Sequence, residues 1–272
     1  QIDSYKNGKL QYLFATKNTL HLIDRKGRNV GKFPLKFNDL ITQPISVFDY
    51  DKNKNYRILI TQNNELFMFD SKGNRVRGFN YIKNDKILNS PKHFRISNKD
   101  LIVFKTKNDL KIINRRGRPR IETKTKFDFS SQKVFRFGNA IVTQTDKNEI
   151  IEIDLKGNVK IIDAYSFDMN LYSIKNFMVI KNGNSIFSNK NKSELKFGKY
   201  NNLKIYNSEE FILISVFDYQ NKEGYLFDQN LNLIDGFPIK SESFIDYHLN
   251  KNYFEFSLKT ENKSIKFYKK SI

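Results

Sequence analysis

Ile23-Asp24-Arg25-Lys26-Gly27-Arg28 ends a short apolar run in a turn, and the chain repeats that pattern three times. The other copies are Phe69-Asp70-Ser71-Lys72-Gly73-Asn74, Ile113-Asn114-Arg115-Arg116-Gly117-Arg118 and Ile153-Asp154-Leu155-Lys156-Gly157-Asn158. Their glycines fall 46, 44 and 40 residues apart. A repeat of this period built from short β-rich runs marks four-stranded propeller blades, because helical arrays of similar period need longer amphipathic segments.

Blade two shows the whole unit: Ile45–Phe48, Arg57–Thr61, Glu65–Phe69 and Arg75–Phe79, separated by turns rich in Gly and Asn. The template recurs at Tyr12–Thr16 with Leu20–Asp24, Leu101–Lys105 with Leu110–Asn114, and Ala140–Gln144 with Ile150–Asp154. It weakens at Phe177–Ile180 with Ser185–Ser188, where the glycine turn is missing. Phe211–Phe217 with Gly224–Asp228 makes a sixth unit, ending in Gly236-Phe237-Pro238-Ile239 as the first ends in Gly31-Lys32-Phe33-Pro34-Leu35. Tyr253–Leu258 and Ser264–Tyr268 make a seventh. The expectation is an all-β, seven-bladed β-propeller spanning residues 1–272 as one domain. The last blade is expected to be three-stranded or completed by upstream residues of a longer protein.

Lys and Arg number 48 against 29 Asp and Glu, for a formal net charge of +19. Such a surface attracts anionic partners, whether acidic protein, nucleic acid, anionic lipid or lipopolysaccharide. The absence of cysteine excludes disulfides, thiolate metal sites and a cysteine nucleophile. No apolar run reaches the length of a membrane-spanning helix.

Asp49-Tyr50-Asp51-Lys52-Asn53-Lys54-Asn55 spaces oxygen ligands as a calcium loop does, but puts Lys54 where the glycine belongs and Arg57 where a closing acid belongs. Asp3-Ser4-Tyr5-Lys6-Asn7-Gly8 keeps the glycine and only one carboxylate. Both read as eroded loops without metal. Arg116-Gly117-Arg118-Pro119 followed by Arg120 spells a minor-groove hook, yet it occupies the register of a blade turn. His21, His93 and His248 share no spacing, and no nucleophile–histidine–acid pattern appears. No catalytic residue, metal or cofactor is expected, and the chain is read as a non-enzyme.

In a blade the turns between strands one and two and between strands three and four lie at one end. Arg25, Lys26, Arg28, Lys72, Arg75, Arg115, Arg116, Arg118 and Lys156 occupy the second kind of turn. Lys6, Lys9, Lys52 and Lys54 occupy the first. The nine are the candidate partner-binding residues.

Gln11–Asn18, Leu22–Gly27 and Phe48–Asp51 with Tyr56–Ile58 resemble the C-terminal propeller-like region of a family of bacterial envelope proteins, over much of residues 2–121. The resemblance implies a periplasmic or envelope location and a protein-contact role. In overall type and setting the chain is also similar to the plug subunit of the type IX secretion translocon, which implies an outer-membrane translocon as partner. The alternative is a polyanion-binding propeller, with nucleic acid the less favoured ligand.

Overall fold

The computed structural model describes all of residues 1–272 except 84, 166–168, 189–190, 201–202, 208–210, 251–252 and 272. The described residues are all β, in seven antiparallel sheets taken in chain order. The first holds β1 (Tyr12–Ala15), β2 (Thr19–Ile23) and β3 (Leu35–Lys36); the second, β4 (Ser46–Phe48), β5 (Arg57–Gln62) and β6 (Glu65–Asp70). The third holds β7 (Lys92–Ile96), β8 (Lys99–Lys105), β9 (Leu110–Ile113) and β10 (Pro119–Ile121); the fourth, β11 (Phe135–Phe137), β12 (Ala140–Gln144), β13 (Glu149–Ile153) and β14 (Val159–Ala164). The fifth holds β15 (Met169–Ile174), β16 (Phe177–Asn182), β17 (Ser185–Ser188) and β18 (Asn191–Glu194). β19 (Lys204–Asn207), β20 (Ile212–Asp218), β21 (Glu223–Phe227) and β22 (Ile239–Lys240) form the sixth, and β23 (Asp246–Asn250), β24 (Tyr253–Lys259) and β25 (Ile265–Ser271) the seventh.

Each repeat therefore builds one meander, and the expected seven sheets are present. The seventh is three-stranded. In the second, the expected fourth strand shrinks to the single bridge Phe69↔Arg75 with the Val76 N–H donating to the Met68 carbonyl, and the chain then turns at Gly78, whose φ is 81°. No helix of the described residues is long and apolar enough to cross a membrane.

The chain packs as two compact units, Gln1–Asp163 and Ala164–Ile272. Within each, the cores lie between successive sheets. The second strand of a blade is buried on both faces, so its alternate residues feed two cores. Ile58 and Ile60 of β5 pack against Leu20 and Leu22, while Leu59 packs with Ile102 and Phe104 of β8. Leu101 and Val103 face the other way, onto Ile141 and Ile151. In the second unit Ile214 and Val216 join Val179 and Ile186, and Leu213 joins Phe256 and Leu258. This is why β5, β8 and β12 each hold three or four consecutive apolar residues, and why the apolar run of β20 is broken only by Ser215.

Candidate contact face

Each repeated turn is built by the carboxylate or amide that opens it. Asp24 accepts the N–H groups of Lys26 (2.8 Å) and Arg28 (3.0 Å) on Oδ1, while its carbonyl accepts the Gly27 N–H at 3.0 Å. Asp70 does the same for Lys72 (2.9 Å) and Asn74 (2.8 Å), Asn114 for Arg116 (2.8 Å) and Arg118 (3.2 Å), and Asp154 for Lys156 (2.8 Å) and Asn158 (2.9 Å). Short Asx side chains favour such local closure. Hydrogen bonds from Arg28 hold the Asp24 carboxyl below its ordinary range, and those from Asn158 do so for Asp154.

The turns are also tied to the preceding sheet. Lys32 N–H donates to the Lys72 carbonyl, Asn80 N–H to that of Arg116 and Lys124 N–H to that of Gly157, each at 2.9 Å. These ties explain two of the glycines beyond their positive φ of 81°. A methyl on Gly117 would stand 2.7 Å from the Asn80 backbone, and one on Gly157 would run into the Glu122 carbonyl oxygen. The pairings Phe48↔Arg57 and Arg57↔Asp70 put the loop after β4 and the Asp70 turn at one end of the second sheet. Ile96↔Lys99 and Ile113↔Pro119 do the same for the third. Four turns are thus joined side by side by backbone hydrogen bonds, and they are rich in cations.

Of the nine candidate residues, Arg25, Lys26, Arg28, Lys72, Arg75, Arg116, Arg118 and Lys156 are exposed. Arg28 is drawn back onto Asp24 at 2.7 Å, and the Arg75 guanidinium lies 5.0 Å from the centre of the Phe67 ring. Arg115 differs. It is half-buried, lies 4.4 Å over the Tyr50 ring, and contacts Asp51 at 2.8 Å and Asp100 at 2.7 Å. Arg95 bridges the same two carboxylates, at 3.2 Å and 3.0 Å, and His93 Nε2 is 2.7 Å from Asp100. Burial would raise the Asp100 carboxyl, but hydrogen bonds from Arg95, His93 and Arg115 outweigh it and bring it down to about 2. Burial lowers His93 despite its bond to Asp100. This network joins the second and third sheets, so the charge of Arg115 is largely answered within the fold.

The eroded calcium loops share one geometry. Asp3 accepts the N–H groups of Asn7 (3.1 Å) and Gly8 (2.9 Å), and Asp49 accepts those of Asn53 (3.1 Å) and Lys54 (2.9 Å). Lys54 Nζ then stands 2.6 Å from Asp3 Oδ2, so an ammonium of the chain answers that carboxylate. Asp51 is held by Arg95 and Arg115 instead. Among the described residues no three His, Asp or Glu side chains gather as a metal site. His21 stacks on Phe14 with centroids 4.8 Å apart, while the side chain of His248 lies outside those described. The Arg-Gly-Arg-Pro segment is folded into the Asn114 turn rather than extended.

Three features escaped the sequence reading. Asp228 builds a fifth copy of the turn, accepting the N–H groups of Asn230 and Asn232, both at 2.8 Å, with Leu231 at φ 64° where glycine was the signal. Lys99 and Arg120 join Arg115 and Arg116 around a shallow cleft of about 360 Å³. Lys105 is fully buried, its Nζ 3.3 Å from the Gln144 carbonyl oxygen and 5.5 Å from the centre of the Phe129 ring; burial lowers its amine to about 7. The run Leu101-Ile102-Val103-Phe104-Lys105 gave a signal only in its alternation, which places Lys105 on the face of Leu101 and Val103.

Neither a family model nor a curated protein matches this chain. Solved structures do match along its length. BBS1N, crystallised in complex with ARL6DN and soaked with lead, matches at a TM-score of 0.62 and 11% identity, covering 99% of this chain and 90% of that one. The dihydro-heme d1 dehydrogenase NirN in complex with DHE matches at 0.59 and 9% identity, covering 100% and 62%. A streptogramin B lyase matches at 0.51 and 13% identity, covering 97% and 91%. Together with the seven meanders these give the fold as a β-propeller. At such identities the likeness extends to the fold alone, and folds of this kind carry unlike functions.

Proposed function

We propose that this chain is a non-enzymatic contact module of the bacterial cell envelope that binds a protein partner through its basic turns. The observation that carries the reading is the row of tied turns, from which Arg25, Lys26, Lys72, Arg116, Arg118 and Lys156 project exposed. None of these six forms an ion pair among the described residues. A backbone closed by its own hydrogen bonds leaves less to order on binding, and the unpaired charge it presents favours a complementary acidic surface. The envelope location rests on the sequence resemblance over residues 2–121; an outer-membrane secretion translocon as partner rests only on likeness in overall type and setting to the plug subunit of such a translocon. BBS1N gives a precedent for a propeller crystallised with a second protein.

The net charge of +19 favours a second reading, general polyanion binding. One experiment separates the two. Native chain and an Arg25→Glu/Arg75→Glu/Arg116→Glu variant are used to recover partners from solubilised membranes of the source organism. The proposal expects a specific protein partner with the native chain, its loss with the variant, and little change in Tm, since exposed turn charges contribute little to stability. A variant that keeps the partner and loses only salt-sensitive retention on DNA or anionic lipid would overturn it.

A further inference from the structure

The strongest unassigned feature is the cleft at the end of the third sheet, where the β7–β8 turn and the Asn114 turn meet. Its volume is about 360 Å³, and Lys99, Arg115, Arg116 and Arg120 line it with Asp100 and Asn114 among their neighbours. Arg116 and Arg120 come from the segment that reads as a minor-groove hook in sequence; the hairpin turn brings them round to Lys99 instead.

We propose that this cleft is the seat of an acidic peptide segment of the partner, an inference that rests on the protein-contact reading above. Of the four cationic side chains Arg115 is answered by Asp51 and Asp100, and Asp100 also accepts from His93 and Arg95, so the unpaired charge of the cleft comes from the other three. Lys99, Arg116 and Arg120 are exposed and have no ion-pair partner among the described residues. The floor is set in advance. Asp51, Asp100 and the Tyr50 ring hold Arg115, while Asn114 and the Asn80 N–H hold the backbone of Arg116. A guanidinium group pairs with the two oxygens of a carboxylate through parallel N–H donors, and Arg116 and Arg120 each bring one to the cleft.

The same geometry disfavours nucleic acid. Binding of single strands relies on exposed aromatic faces for base stacking, and no aromatic residue lines the cleft; the nearby Tyr50 ring is covered by Arg115.

The test is fluorescence anisotropy with a labelled ten-residue peptide of alternating Glu and Asp, at about 50 and 300 mM salt. It compares the native chain, Lys99→Glu/Arg120→Glu, Lys99→Gln/Arg120→Gln, and a control, Lys107→Glu/Lys147→Glu, at the opposite end of the third and fourth sheets. Melting curves establish that each variant is folded. The expected result is a loss of about tenfold or more with the cleft reversal, a smaller loss with the Gln pair, and about twofold or less with the control. Equal losses in cleft and control variants would reduce the effect to bulk charge and overturn the proposal. So would tighter binding of a single-stranded oligonucleotide or inorganic phosphate than of the peptide, or no peptide binding by the native chain. Recovery of the membrane partner by an Arg25→Glu/Arg75→Glu variant, which leaves the cleft intact, separates the two ideas. If that recovery fails while the peptide still binds, the wider face is needed and the cleft stands. If the peptide fails while partner recovery by the native chain still depends on Arg25 and Arg75, the contact reading stands without the cleft.

Discussion

Replacing Lys105 with Met should stabilise the protein, by an amount that depends on pH. The ammonium sits at 0% exposure with one carbonyl, that of Gln144, and the Phe129 ring for company. Burial takes its pKa from an ordinary 10.5 to about 7, and at ~1.4 kcal/mol per pKa unit this amounts to a penalty of up to about 5 kcal/mol. The hydrogen bond and the ring return about 1–2 kcal/mol of that. Met has similar length and no charge to desolvate, so a gain of about 2–4 kcal/mol near neutral pH is expected. Between pH 7 and 10.5 the unfolded chain holds this proton more tightly than the folded one, so the native protein gains stability as pH rises through that window. Below about 7 the penalty is fully felt; above about 10.5 it vanishes. Urea denaturation of both proteins across this range measures the difference, which should be largest at the acid end and shrink toward about 1 kcal/mol or less at the alkaline end. A pH-independent difference, or a destabilised Met variant, would refute the reasoning.

Other outcomes follow from the same contacts. Gly157→Ala should cost clearly more than Gly27→Ala in thermal melts: both have positive φ, worth about 1–2 kcal/mol, but only Gly157 faces a backbone carbonyl while Gly27 faces open space. Asp100→Asn should remove about 2 kcal/mol at neutral pH, because the depressed carboxyl stabilises the fold above its ordinary 3.8 and that stability is lost as pH falls toward about 2. An acid titration of native protein and variant should show the gap closing across that window. Millimolar calcium should leave the Tm of the native chain unchanged within about 1 °C, since Lys54 already answers Asp3 and two arginines answer Asp51. A rise lost on Asp3→Ala or Asp51→Ala would contradict this.

The repeat was legible because the turn has a strict chemistry: an Asx side chain must cap the backbone, and a residue with positive φ must follow. Where glycine supplies that residue, at 27, 73, 117 and 157, the sequence announces it. Where Leu231 does so, tucked into the core between the fifth and sixth sheets, the turn keeps its hydrogen bonds and loses its signature. Charge on turns was equally visible, but partners across sheets were not. Nothing local in Arg115-Arg116 tells that the first is claimed by Asp51 and Asp100 while the second stays exposed. Lys99 carries no signal of its own and Arg120 reads in sequence only as the end of the hook-like segment; strand pairing is what brings them to one cleft.

Site-directed photo-crosslinking in the native setting tests the central claim most directly. A photoreactive residue is placed singly at positions 25, 72 and 116 on the tied turns, and at 17, 107 and 147 at the other end of the first, third and fourth sheets. Crosslinks from the first three positions to one protein partner, and none from the last three, are the predicted result. Crosslinks concentrated at 17, 107 and 147, or attachment from the basic turns to lipid or nucleic acid alone, would contradict it.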